Sequence, residues 1–215
     1  FWHYVDLINM LNSGASLLTL ESTSISKIGR ISVKDLCLYN SNQKNKLKKL
    51  FIYLKKMRNI PIVLQISHSG RKGSSNLPWS KEKGPLKKTK GAWQTISPSS
   101  LRKDKGWPIP KEIKKKEIKK IIKQFSNCAR YAKQIGFDGL EIHMAHGYLI
   151  HQFLSPISNK RKDEYGGNFE NRSKFAVEII KEIKKIWPRK KILGARITGT
   201  DHLKNGIDIK DSIKL

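Results

Sequence analysis

The sequence predicts an α/β fold, and within that class a parallel β/α barrel of which only part is present. Three observations carry the expectation. Helical stripes alternate with short apolar runs along all 215 residues, an order that implies a parallel sheet with right-handed crossovers. Polar side chains gather at or just past the C-terminal ends of the apolar runs: Glu21 and Ser22, Gln65 with His68, His143 with His146, and Arg196. That is where a barrel of this kind places its function. No G-x-G-x-x-G turn occurs, which argues against a doubly wound nucleotide fold.

The elements follow in order. Residues 2–12 put their apolar side chains on one helical stripe, and Gly14 suits the position after the end. Residues 17–20 are a short apolar run that reads as a buried strand, ending in Glu21-Ser22-Thr23. In 42–57, Leu47, Leu50, Phe51 and Leu54 fall at i, i+3, i+4, i+7, an amphipathic helix. A second buried strand spans 61–66. From about 67 to 110 the chain carries Gly, Ser, Pro and Trp without periodicity, and so long a loop inside a compact domain is usually functional. A helix over 116–134 has Ile118, Ile121, Ile122 and Phe125 on one face and ends at Gly136. A third strand covers 138–143. The helix at 169–187, capped by Asn168 and stopped by Pro188, carries Phe175, Val177, Ile179, Ile180, Ile183 and Ile186 on a broad apolar side. A fourth strand covers 192–198, and Asp208 or Asp211 opens a last helix. The strands begin roughly 59 residues apart on average, so eight such units cannot fit. The chain is a piece of a barrel, or a half-barrel that could pair as a homo-oligomer.

Composition narrows the function classes. Hydrophobic residues are 38% of the chain, enough for a real core. Lys and Arg total 44 against 17 acidic residues, for a formal charge of +27. Only nine of the 44 are Arg, whereas readout of base edges leans on Arg. The lysines are spread over every predicted helix, as solvated faces with buried stems. The charge therefore predicts salt-dependent adhesion to polyanions but no specific nucleic-acid partner. No apolar run reaches membrane-spanning length, so no membrane association is expected. Cys37 and Cys128 make no disulfide framework. Together with the lack of a visible secretory signal, this leads to the expectation of a cytoplasmic protein.

The densest chemistry lies in 136–172. His143 and His146 stand three apart at a strand end, with Tyr148 two residues on. Two imidazoles can donate to one carbonyl oxygen and stabilise charge developing on it, and a phenol beside them can supply a proton. The H-x2-H-x4-H spacing of His143, His146 and His151 also admits a metal site, although carboxylates at matching spacing are not evident. Structural histidines are the third option. His68 and Arg71 read as shaping their loop. In 159–172, Gly166-Gly167 is a turn signal, and Asp163, Glu164 and Arg172 can pair to order the segment. Glu141 needs a partner if buried.

At this segment the chain resembles the old yellow enzyme family of flavin-dependent ene-reductases. Residues 65–72 (Gln-Ile-Ser-His-Ser-Gly-Arg-Lys), 93–100 with Ser-Pro-Ser, and 196–201 (Arg-Ile-Thr-Gly-Thr-Asp) resemble family segments in the same order. The His-x-x-His form resembles the xenobiotic-reductase-like branch. The resemblance implies an eight-stranded (β/α)8 TIM barrel with FMN at its C-terminal mouth and NADPH or NADH as hydride donor. It implies that Gln65 bonds the flavin pyrimidine edge, that Arg196 lies near its N1 and C2 carbonyl, and that Ser22 lies close to the ring. It further implies that His143 and His146 hold the carbonyl oxygen of an enone substrate while Tyr148 protonates Cα, with no metal involved. Residues 1–215 would then be a partial FMN-binding domain, about the second to fifth βα units, truncated at both ends. The first strand and the phosphate clamp of the last units would be lacking. Two other outcomes stay open: an iron–sulfur enoate or dienoyl-thioester reductase of the same family, and an inactive basic fragment without flavin.

Overall fold

The computed structural model describes residues 2–215; Phe1, which opens the predicted domain, lies outside them. Four parallel strands, β1 (Leu18–Ser24), β2 (Ile62–Ser67), β5 (Gly139–Met144) and β6 (Ile192–Ile197), form one sheet in the order β1-β2-β5-β6. A short parallel pair, β3 (Ile96–Ser97) and β4 (Lys111–Glu112), sits within the long loop. The helices are α1 (Trp2–Asn12), α2 (Ser41–Met57), α3 (Lys115–Ile135), α4 (Leu149–Leu154), α5 (Phe169–Lys184) and α6 (Ile209–Lys214). None is long and apolar enough to cross a membrane.

Helix boundaries follow capping chemistry. The Asn40 side chain accepts from the Gln43 N–H at 2.9 Å, Asn168 from Asn171 at 2.9 Å and Asp208 from Asp211 at 2.9 Å, each relieving a free amide of the first turn. Glu117 accepts from the Lys114 N–H at 2.9 Å. Gly136 closes α3 in the left-handed conformation at φ 115°, where a Cβ is costly. The expected apolar face of α3 is buried at Ile118, Ile121, Ile122 and Phe125, each worth about 1.5–3 kcal/mol over exposure.

Some boundaries move. β1 continues through the polar residues to Ser24, because those side chains find partners at the strand end. α5 stops at Lys184, before the expected 187; Trp187 instead turns its Nε1 to the Ile192 carbonyl at 3.0 Å. Residues 149–154 form a buried helix that no periodicity announces, since all six are buried. The loop of 159–172 is ordered by other pairs than expected. Asp163 goes to Arg161 (2.6 Å) and Glu164 to Lys115 (2.5 Å). Arg172 donates to the Leu154 and Gly167 carbonyls at 2.7 and 2.6 Å.

The sheet has two distinct faces. Leu64, Ile66, Leu140 and Ile142 join the helices in the core, with Leu193 packed against it. The other face is layered. Val63, Gly139 and Ile192 share one register, Gln65, Glu141 and Gly194 the next, and His143 and Arg196 the one beyond. β6 is an edge, with Ile192 and Ile197 exposed.

Candidate active site

The site is assembled where β5 ends. His143 is the penultimate residue of the strand and is buried. The chain then turns sharply, with His146 at φ 57° and Gly147 at φ 68°, and Tyr148 caps α4. This turn brings three rings together. Their centroids lie 5.0 Å apart for His143–His146, 4.7 Å for His143–Tyr148 and 6.4 Å for His146–Tyr148.

Protonation states follow from the surroundings. His143 Nδ1 accepts from the Ala145 N–H at 3.2 Å, so its proton sits on Nε2, which makes no hydrogen bond among the described residues. Burial pushes the His143 imidazole down to about 4, with His146 and Arg196 adding smaller pushes. His146 is lowered by burial and then by Arg196 and Lys72. Burial raises the Tyr148 phenol, with a smaller effect from Asp35. At neutral pH the cluster is two neutral imidazoles and a protonated phenol.

The turn is tied down from behind. The Gly147 N–H donates to His151 Nδ1 at 2.6 Å, and His151 Nε2 donates to Asp201 at 2.9 Å. Ser155 (2.6 Å) and the Ile207 N–H (2.9 Å) also donate to Asp201. Burial alone would raise that carboxyl, but the bonds from His151, Ser155 and Ile207 hold it at about 2. The His146 N–H donates to Thr198 Oγ1 at 3.1 Å. Gln152, fully buried, donates to the Gly147 and Ser69 carbonyls at 2.7 and 3.2 Å and accepts from the Arg71 N–H at 3.2 Å. Both ring nitrogens of His151 are thus engaged, by Gly147 and Asp201, rather than shared with the His143–His146 pair as the metal spacing would have it.

Gln65, Arg196 and Ser22 lie on three other strands. Gln65 is 6% exposed and donates from Nε2 to Glu141 at 2.5 Å, which supplies the partner Glu141 needed. Arg196 is exposed and in register with His143. Ser22 sits half-exposed in a bulge, where Glu21 and Ser22 together oppose Gln65; bulges re-aim side chains at such places. Gly194, opposite Glu141, would meet nothing within 4 Å of a Cβ, so open space adjoins the Gln65–Glu141 layer. His68 and Arg71 shape their loop as expected. His68 Nδ1 accepts from the Gly70 N–H at 3.0 Å, and Arg71 donates to the Leu101 carbonyl at 3.1 Å.

Gln152, Thr198 and Lys72 were not singled out for the site by sequence reasoning, and His151 was singled out only as a possible metal ligand. Lys72 donates from Nζ to the His146 carbonyl at 2.5 Å. For Gln152, Thr198 and Lys72 the signal available was position alone: they fall in or beside segments that follow a strand end.

The profile of the NADH:flavin oxidoreductase / NADH oxidase family matches residues 4–215. An NADH:flavin oxidoreductase of Gibberella zeae is 37% identical over 213 residues, covering 98% of this chain and 51% of the relative. An NADPH dehydrogenase of Clostridium acetobutylicum is 38% identical over 203 residues, covering 94% and 55%. Among solved structures, a 2-naphthoyl-CoA reductase complex superposes with TM-score 0.84 at 27% identity, over 98% of this chain and 32% of the other. Morphinone reductase superposes with TM-score 0.80 at 23% identity, over 98% and 57%, a likeness of fold. The chain spans about half the length of the curated relatives it matches. With a four-stranded parallel arc of a TIM barrel and the family profile matched over residues 4–215, the chain belongs to the NADH:flavin oxidoreductase / NADH oxidase family, the old yellow enzymes.

Proposed function

We propose that this chain carries the substrate-binding and pyrimidine-side part of an FMN-dependent reductase that takes hydride from NADPH or NADH and reduces activated alkenes. The observation that carries it is the His143 tautomer: an N–H on Nε2, held neutral, beside His146 and Tyr148. Two neutral donors at one point can bind a carbonyl oxygen and stabilise charge as it forms there.

The residues present fit a flavin. Gln65 keeps its Oε1 free of hydrogen bonds among the described residues, Arg196 is unpaired among them, and Gly194, two residues before Arg196 on the same strand and opposite Glu141, leaves open space. A side-chain amide can both donate to and accept from an imide edge. Gln65, Arg196 and Ser22 would hold the ring, and the permanent charge of Arg196 suits a group that becomes anionic on reduction. When bound, FMN supplies the hydride acceptor and donor. This chain's own residues do the rest. His143 and His146 orient the carbonyl and take up its developing charge. Tyr148, kept protonated by burial, hands a proton to Cα. The His151–Asp201 pair holds the turn that places them.

The test is spectroscopic. The chain is incubated with FMN, desalted, and titrated with NADPH and with 4-hydroxybenzaldehyde. The expected result is a flavin spectrum that NADPH bleaches and the phenol perturbs. The double variant His143→Ala/His146→Ala should lose phenol affinity at least tenfold. Unchanged affinity in that variant would overturn the role of the pair, and failure to retain FMN would remove the cofactor from the chain's own activity.

A second reading is favoured by the likeness to the 2-naphthoyl-CoA reductase complex: a conjugated acyl thioester as the substrate, held at its carbonyl by the same histidines.

A further inference from the structure

The cluster of His143, His146 and Tyr148 is bordered by cations that make no ion pair among the described residues, although the charge of Asp104 partly offsets that of Lys103. Lys72 Nζ, besides its bond to the His146 carbonyl, stands 5.7 Å from the centroid of the Tyr148 ring. Its stem lies against Gly147, where a Cβ would come within 3.1 Å of Lys72 Cε and 3.3 Å of Nζ. The missing side chain at 147 is what admits the ammonium to this position. Arg71, next in sequence, grips the Leu101 and Arg102 carbonyls at 3.1 and 3.4 Å. That grip ties the segment carrying Lys103 to the loop that carries Lys72; Lys103 Nζ lies 3.8 Å from the centroid of the Trp107 ring, and its charge reaches Lys72.

Among the described residues, Arg71, Lys72, Lys103 and Arg196 make no ion pair. The carboxylate whose charge reaches Tyr148 is Asp35, and its oxygens are taken by the Ile31 and Ser32 N–H groups and the Ser32 hydroxyl, at 2.5, 2.9 and 2.6 Å. Burial pushes Lys72 below its usual range, and the charges of Lys103 and Arg71 push it further. Taking a cation partly out of water and beside like charges is unfavourable unless an anion joins it.

Building on the alkene-reductase reading, we propose that Lys72 and Lys103 form an anion-binding subsite at the rim of the His143–His146–Tyr148 cluster, taking a carboxylate or phosphate group of the molecule bound there. The group could belong to the alkene substrate or to the nicotinamide donor. The chemistry is the same in both: an anionic oxygen group reaching from the reacting centre to the two ammoniums.

The test follows the ring-proton NMR signals of His146 and Tyr148 in the full chain during titration. Inorganic phosphate is the first probe. Saturable shifts are expected, weakened at least about fivefold in Lys72→Gln and in Lys103→Gln, restored in part by Lys72→Arg, and unchanged in Lys184→Gln on an exposed helix end. Equal weakening in all variants, or shifts that never saturate, would mean general surface charge and overturn the subsite. Two further probes separate the sources. Lysine-dependent binding of 4-hydroxybenzoate assigns the subsite to substrate, and lysine-dependent binding of ADP-ribose 2′-phosphate assigns it to the donor. Insensitivity of both would again overturn it. Neutral 4-hydroxybenzaldehyde reports on the histidine pair alone: its failure to bind would strike the alkene-reductase reading, whatever the lysine variants do.

Discussion

His151 is bonded on both sides, to the Gly147 N–H through Nδ1 at 2.6 Å and to Asp201 through Nε2 at 2.9 Å. A carboxylate past the end of β6 thereby fixes the backbone between His146 and Tyr148. Asp201→Ala would strand three donors, those of His151, Ser155 and Ile207. A loss of about 2–4 kcal/mol is expected from chemical denaturation. A purely structural role would move only stability. A positioning role also shifts the Gly147 amide resonance and weakens phenolic ligands in the less damaging Asp201→Asn.

Acid should weaken the fold in two stages. His68 is fully buried and held neutral down to about 3 by burial, and His143 down to about 4. A histidine whose folded value is depressed costs nothing above its ordinary 6.5. The cost grows as pH falls below 6.5 and levels off under the folded value. Asp201, held at about 2, contributes stability above its ordinary 3.8 that is lost as pH falls through 2. From these groups urea midpoints should therefore decline from about 6.5 downward, by at most about 1.4 kcal/mol per pH unit for each group. His68→Asn keeps an acceptor for the Gly70 N–H and should flatten the part between 6.5 and 3. An unchanged slope in that variant would assign the decline elsewhere.

Two glycines on the same sheet face should respond oppositely. At Gly139 a Cβ would come 2.7 Å from Val63 Cγ2 and 3.1 Å from Ile192 Cβ. Gly139→Ala must push strands apart and is expected to cost about 1–3 kcal/mol. At Gly194 the space is open, so Gly194→Leu should keep its melting temperature within a few degrees. It should nonetheless lose FMN, because the leucine fills the space beside Gln65 and Glu141. Retention of FMN by Gly194→Leu would place the ring elsewhere.

Gln152→Leu preserves size but removes the amide that joins Ser69 and Arg71 to Gly147. Hydrogen exchange at the Arg71 N–H should speed up by at least tenfold, and the ring signals of His146 and Tyr148 should broaden. Unchanged exchange would show that the β2 loop is held by other contacts.

How far the sequence disclosed all this depended on the kind of signal. The longer helices were legible because their apolar side chains repeat with a period, as Leu47, Leu50, Phe51 and Leu54 do, and the four long strands because they stand out as short apolar runs between polar stretches. The cap at Asn168 and the stop at Gly136 were legible because few residue types suit them. α4 was not, since a helix buried on every side has no period to read. The pairing of Arg161 with Asp163, rather than Arg172 with either acid, depends on which loop carbonyls lie within reach, and no spacing encodes that. His143, His146 and Tyr148 stood out as reactive types close together in sequence. Their supports did not, because Gln152 and Asp201 acquire meaning only through the backbone groups they meet.

The sheet order β1-β2-β5-β6 is also the order of synthesis. Within this sheet each strand leaving the ribosome pairs with the sheet strand made before it, β5 joining β2 after the β3–β4 pair has been made in the loop between them. Each pairing still spans a whole crossover, as between Val63 and Gly139, and such long loop closures slow the formation of a parallel sheet. The polar face carrying Gln65 and Glu141 would meanwhile stand open to water while the helix-covered face is already closed. Nascent chain is thus protected first on the side where exposure invites aggregation, and the chemically useful side, rich in hydrogen-bonding groups, is the one left waiting.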